Sequence, residues 1–148
     1  SYGRAHSDAV LAAVKEFIAS FPLAARTPNR VWLSHSLPDE GELKAFDPDV
    51  VHRNEHAPRD LTDGGSVYQL IWGRAHSPAL LDRLAEAWDV DWFIIGHQPQ
   101  EMGHDVLFDR LIILASDHNH GTFLPFDLSR PQTIESLTRN IRKFVEVA

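Results

Sequence analysis

Trp92-Phe93-Ile94-Ile95-Gly96-His97 joins a short unbroken apolar run to a glycine and a histidine. A run this short, aromatic and β-branched, is what a strand buried on both faces requires. The glycine and histidine mark its polar end. Val31-Trp32-Leu33-Ser34-His35 repeats the form earlier in the chain, and Leu111 to Ala115 repeats it later, closing on Ser116 and then Asp117-His118-Asn119-His120. In open α/β sheets ligands gather beyond the carboxyl ends of the strands. If these three ends lie side by side, imidazoles and a carboxylate converge at one edge of a sheet.

Around these runs the chain alternates helix and strand. Ser7 or Asp8 can cap a first helix with apolar positions Val10, Leu11, Val14, Phe17 and Ile18. Pro22 and Pro28 bracket a connector. Pro38 to Asp63 is a polar surface excursion carrying the acids Asp39, Glu40, Glu42 and Asp47, with a short helix at Pro48–His52 and a break at Gly64-Gly65. Val67 to Trp72 is apolar and fits either strand or helix. Ser77-Pro78 starts a strong helix, a cap followed by proline at the first helical position, with Leu80, Leu81, Leu84, Ala85 and Trp88 on one face. Val106 to Phe108, Leu111 to Ala115 and Thr122 to Phe126 are expected as successive neighbouring strands, turning at Asp109-Arg110 and His118–Gly121. Pro131 opens a last amphipathic helix through Ile134, Leu137, Ile141, Phe144 and Val145.

The 148 residues suit one domain, 1–148, with no interdomain linker. A net charge of -7 argues against nucleic acid or an anionic membrane as the main partner, since both select basic surfaces. A small anionic substrate stays open, because a bound metal reverses the local field. There is no cysteine, so neither a disulfide nor a thiolate metal site exists. That absence suits a reducing cytoplasm. No apolar run approaches a membrane span.

The chemistry therefore falls to the histidines. Neutral imidazole binds zinc, manganese or iron, and carboxylates share hard cations with it. His35 and His97 are the candidate metal ligands. Gly96 is expected to let the chain turn sharply before His97. Arg74, after Ile71-Trp72-Gly73, can grip two phosphate oxygens beside a metal. His6, His52, His56 and His76 are expected as solvated surface, the Asp39–Glu42 acids as a solvated loop, and His104 on a turn that could overlook the site.

Four segments carry a family resemblance: FPLAARTPNRVWLSHSLP (21–38), IWGRAHSPALL (71–81), WFIIGHQPQEMG (92–103) and LIILASDHNHGTFLPFDL (111–128). In order and spacing, from about Tyr2 to Leu128, they resemble the C-terminal half of the calcineurin-like metallophosphoesterases, specifically bacterial-type phosphoprotein phosphatases. The resemblance implies an α/β fold, half of a double-sheet sandwich with a mixed sheet flanked by helices. It implies that His35 and His97 bind one of two divalent metal ions (manganese, iron or zinc) in the complete enzyme, with only a partial site in these residues. It makes Arg74 a phosphate-gripping arginine and places His120 near a tyrosine that overlies the site in some members, so that Arg74 and His120 are its candidate catalytic residues. The implied reaction is attack of a metal-activated hydroxide on a phosphate monoester, phosphoserine or phosphothreonine above all.

The sequence departs from the family in places. The glycines after the first metal histidine are here Ser36-Leu37. The turn Asp117-His118-Asn119-His120 is richer in potential ligands than usual. The family's N-terminal motifs, which supply the bridging carboxylate and the protonating histidine, are absent, and Ser1-Tyr2-Gly3 falls close to where they would end. A truncated, cleaved or split protein is therefore expected, inactive alone, with an apolar face left for its missing half or for a second copy. Two other functions fit the resemblance: a binding or regulatory module that has lost catalysis, and a hydrolase of diadenosine polyphosphates or other phosphodiesters.

Overall fold

The structure, a computed structural model, describes residues 4–146. Tyr2, where the resemblance begins, lies outside them. In chain order the elements are α1 (Arg4–Ala19), β1 (Ala24–Arg26), β2 (Val31–Ser34), α2 (Ser66–Trp72), α3 (Pro78–Trp88), β3 (Trp92–Ile95), β4 (His104–Leu107), β5 (Leu111–Leu114), β6 (Thr122–Phe123), α4 (Ile134–Arg139) and β7 (Arg142–Lys143). Between β2 and α2 run three 3-10 turns, Glu40–Glu42, Pro48–His52 and Pro58–Leu61, and a fourth, Phe144–Glu146, follows β7.

The three apolar runs do lie side by side. The sheet order is β1-β2-β3-β5-β4, with β2, β3 and β5 parallel and the edge strands β1 and β4 antiparallel to them. Ser34 pairs with Ile95, and Ile95 with Ile113, so the carboxyl ends finish level. The runs are continuously apolar because the sheet is covered on both faces. Trp32, Phe93, Ile95, Leu111 and Ile113 point to a core closed by Leu70 of α2, by Leu80, Leu81, Leu84 and Trp88 of α3, and by Phe46 and Val50 of the excursion. Val31, Ile94 and Ile112 point the other way, against Ile134 and Leu137 of α4. Trp32 and Trp88 stack with ring centroids 3.9 Å apart, tying β2 to α3. Burial of such side chains, at roughly 1.5–3 kcal/mol each, is the main force holding the strand ends in register.

Several expectations are corrected. Val67 to Trp72, left open between strand and helix, is helical. The stretch between Pro22 and Pro28 contains β1, an edge strand of Ala-Ala-Arg with no apolar run to announce it. The excursion is not wholly surface, since Phe46 and Val50 are core residues. Its Pro48–His52 piece is 3-10, with the Asp47 side chain accepting from Asp49 N–H. The turn after β4 falls on Phe108 and Asp109, both at positive φ, one residue earlier than expected. β6 leaves the main sheet and pairs with β7, so the closing helix ends at Arg139 and does not continue through Val145. The first helix starts before Ser7 and Asp8, which lie inside it and cap nothing. Its apolar positions are exposed, Val10 at 64% and Phe17 at 63%.

Candidate functional site

The parallel register brings His35 and His97 together. Gly96 N–H donates to His35 O at 3.1 Å, extending the β2–β3 ladder by one bond. His35 Nε2 then stands 3.1 Å from His97 Nδ1. The sharp turn belongs to His97 and not to Gly96. His97 has φ of 67°, and Gln98 N–H donates across it to Gly96 O at 2.8 Å, the bond of a γ-turn in its strained, positive-φ form. A Cβ on Gly96 would meet only ordinary contacts, 3.7 Å to Leu114 O and 3.9 Å to His35 O.

Arg74 reaches the pair from the end of α2. Its Nε–H donates to His97 Nε2 at 3.1 Å. The backbone beneath it is fastened to the residues that follow His35. Ser36 N–H donates to Leu70 O at 2.9 Å, Ser36 Oγ–H donates to Gly73 O, and Glu40 N–H donates to Ala75 O at 2.9 Å. Gly73 has no room for a side chain, since its Cβ would sit 1.9 Å from Leu37 O. Asp39 is no solvated loop acid: its Oδ1 accepts from the N–H groups of Arg74 and Ala75 at 2.5 and 2.6 Å. The Trp72 ring packs at right angles to His97 with centroids 5.5 Å apart.

Burial first, then the neighbouring His35 and Arg74 charges, holds the His97 imidazole below its ordinary pKa and so neutral near pH 7. With Nε2 accepting from Arg74, the proton of neutral His97 sits on Nδ1 and faces His35 Nε2. Two imidazole nitrogens on one tetrahedral zinc, each about 2.0–2.1 Å from it, stand roughly 3.3 Å apart. The observed 3.1 Å fits two such positions on a single ion. Among the described residues no third histidine, aspartate or glutamate joins them. The pair is two ligands of a shell and not a complete one.

His120 is not brought to this pair. It is exposed and borders a hollow with Glu101, Met102, His118 and Asn119. His118 makes a 2.8 Å bond to Gln100 O through Nε2 and accepts from His120 N–H through Nδ1 at 3.0 Å. Gly103, at φ of 85°, lets this turn close, since a Cβ there would lie 2.0 Å from His120 O. Asp117 lies nearer, lining a cavity of about 230 Å³ with His97, Gln98 and Ser116. His6 and His52 are exposed as expected, but His56 and His76 are half-buried, each with an unpartnered Nδ1. Burial lowers the His76 pKa, and its Nε2 lies 3.0 Å from Gln98 Nε2, beside His97. His104, half-buried at the start of β4, also has an unpartnered Nδ1. Sequence reasoning missed Asp39, Trp72 and Gln98. Only Asp39 carried a signal, an aspartate two residues after Leu37 and close behind a candidate ligand.

No protein-family profile and no curated protein sequence matches the chain. Among solved structures it is similar to a protein serine/threonine phosphatase from Saccharomyces cerevisiae with similarity to human phosphatase PP5. The TM-score is 0.53 at 17% identity, over 83% of this chain and 46% of that one. The chain thus spans less than half the length of the structure it matches. The likeness is one of fold: a mixed α/β arrangement, its mixed sheet flanked by helices, similar to part of a serine/threonine phosphatase.

Proposed function

We propose that this chain carries half of the two-metal centre of a metal-dependent phosphatase acting on phosphate monoesters, phosphoserine or phosphothreonine in a protein, or a small phosphate ester. The observation that supports it is the convergence of His35, His97 and Arg74 at the level ends of adjacent parallel strands. His35 Nε2 and His97 Nδ1 would hold one divalent ion, and the Arg74 guanidinium, exposed beside them, would take phosphate oxygens. A divalent ion in such a site supplies an acidified water and neutralises phosphate charge. For both facing nitrogens to offer lone pairs, His97 must carry its proton on Nε2. Arg74 must then give up that acceptor, which leaves its guanidinium free for an anion. The remaining ligands and the proton donor would come from the other half of the fold, supplied by a partner chain or a longer protein.

The test is titration of manganese or zinc into the isotopically labelled chain. The ring resonances of His35 and His97 should respond first. His35→Ala and His97→Ala should each weaken binding by at least the roughly tenfold that loss of a mere outer-shell partner costs. Unchanged metal binding in both variants would end the proposal. The chain alone should turn over p-nitrophenyl phosphate negligibly, and rapid metal-dependent turnover would show that the centre is complete without a second half. A second reading is a binding module on the same scaffold that has lost catalysis. A protein carrying both halves, purified with manganese and inert to phosphopeptides, nucleotides and bis(p-nitrophenyl) phosphate alike, would favour that module.

A further inference from the structure

We infer that Asp39 is a positioning residue that aims Arg74 at the histidine pair. The inference rests on the reading of Arg74 as the anion-gripping group. Arg74 itself is exposed, and its side chain touches the site through one bond, Nε–H to His97 Nε2. An exposed arginine has many rotamers, and holding one against an anion costs conformational freedom. What the structure fixes is the backbone from which that side chain starts. A single carboxylate oxygen, Asp39 Oδ1, accepts from two consecutive N–H groups, those of Arg74 and Ala75, at 2.5 and 2.6 Å. Bonds to an ionised acceptor are roughly twice as strong as neutral ones. The next residue adds a ladder bond, Glu40 N–H to Ala75 O at 2.9 Å.

The fastening is directional. Gly73 N–H closes α2 on Gln69 O at 3.0 Å, and Arg74 and Ala75, the next two residues, belong to no helix or strand. On one side Gly73 is pressed on Leu37 O, and on the other His76 meets Gln98. Asp39 closes the remaining gap. It lies four positions beyond His35, so one short segment, 35–40, carries a candidate metal ligand and also fixes the arginine. Arg74 is thereby referred to His35 through backbone and to His97 through its side chain. Moving Asp39 would uncouple the two while leaving the strands, which are held by the core, in place.

The test uses the full chain and two variants. Asp39→Ala removes the acceptor; Asp39→Asn keeps an oxygen in the same place. Nitrogen–proton correlation reads whether His97 Nε2 is still an acceptor from Arg74, and orthophosphate titration reads anion affinity. In Asp39→Ala the Nε2 signature should be lost and phosphate affinity should fall about two- to tenfold, the scale of one immobilised side chain. Asp39→Asn should restore most of both. A His97 ring signature identical to wild type in Asp39→Ala would overturn the inference. So would a loss that Asp39→Asn does not recover. Arg74→Ala separates this failure from that of the function: if it leaves phosphate affinity unchanged, Arg74 is not the anion group. If it lowers the affinity while Asp39→Ala does not, only the positioning role falls.

Discussion

His97 is the residue where sequence and structure meet most sharply. Its place was legible, because a histidine that follows a buried apolar run falls at the carboxyl edge of the sheet. Its conformation was not, because glycine at 96 drew the turn one residue too early. A non-glycine residue at φ of 67° costs on the order of 1–3 kcal/mol, and such strain gathers at functional positions. Two substitutions separate conformation from chemistry. His97→Val should lose about 2 kcal/mol or more relative to His97→Gly in urea denaturation, since a β-branched residue tolerates this φ worst. Both should lose metal binding equally. Equal stabilities would mean that the backbone relaxes and the turn holds no strain.

At the scale of elements, legibility followed burial. β2, β3 and β5 were plain because residues covered on both faces must be apolar without interruption. β1 was hidden because an edge strand of two alanines and an arginine has no such obligation. The last helix was drawn too long because Ile141, Phe144 and Val145 keep a helical spacing, whereas β7 pairs with β6 instead. α3 was read correctly from Ser77-Pro78, and the structure supplies the reason: Ser77 Oγ accepts from Leu80 N–H at 3.2 Å. Ser77→Ala should cost about 1 kcal/mol in chemical denaturation. No measurable cost would show that packing of Leu80, Leu81 and Leu84 alone decides where α3 begins. The ion pairs of Arg30 with Asp89 and Asp91 join the amino ends of β2 and β3, away from the histidines, but exposed pairs of this kind contribute little.

For the whole molecule the fold class was legible and the extent of the site only in part. The histidine pair could be inferred from two strand ends, while Asp39 and Gln98 act through contacts that spacing does not encode. The sheet is covered on both faces, and exposed apolar side chains gather instead on α1, where Val10, Val14 and Phe17 recur in steps of four and three, with Phe21 just past its end. Deleting residues 1–20 should therefore shift the thermal midpoint by less than about 2 °C, because little of the core depends on them. It should also lower self-association in sedimentation at high concentration. A large fall in the midpoint would mean that α1 packs against the rest of the domain in solution.

The two histidines that touch at 3.1 Å are separated by 62 positions along the chain. Nothing local brings them together, and the strands that do so are parallel, a pairing that needs the whole intervening crossover. Long-range parallel pairing is slow because loop closure must precede any reward. The pair is therefore expected to form late in folding, once the crossover between β2 and β3 is in place. An ion held between His35 and His97 would act as a clasp on a long loop, and its grip would itself report that β2 and β3 have found each other.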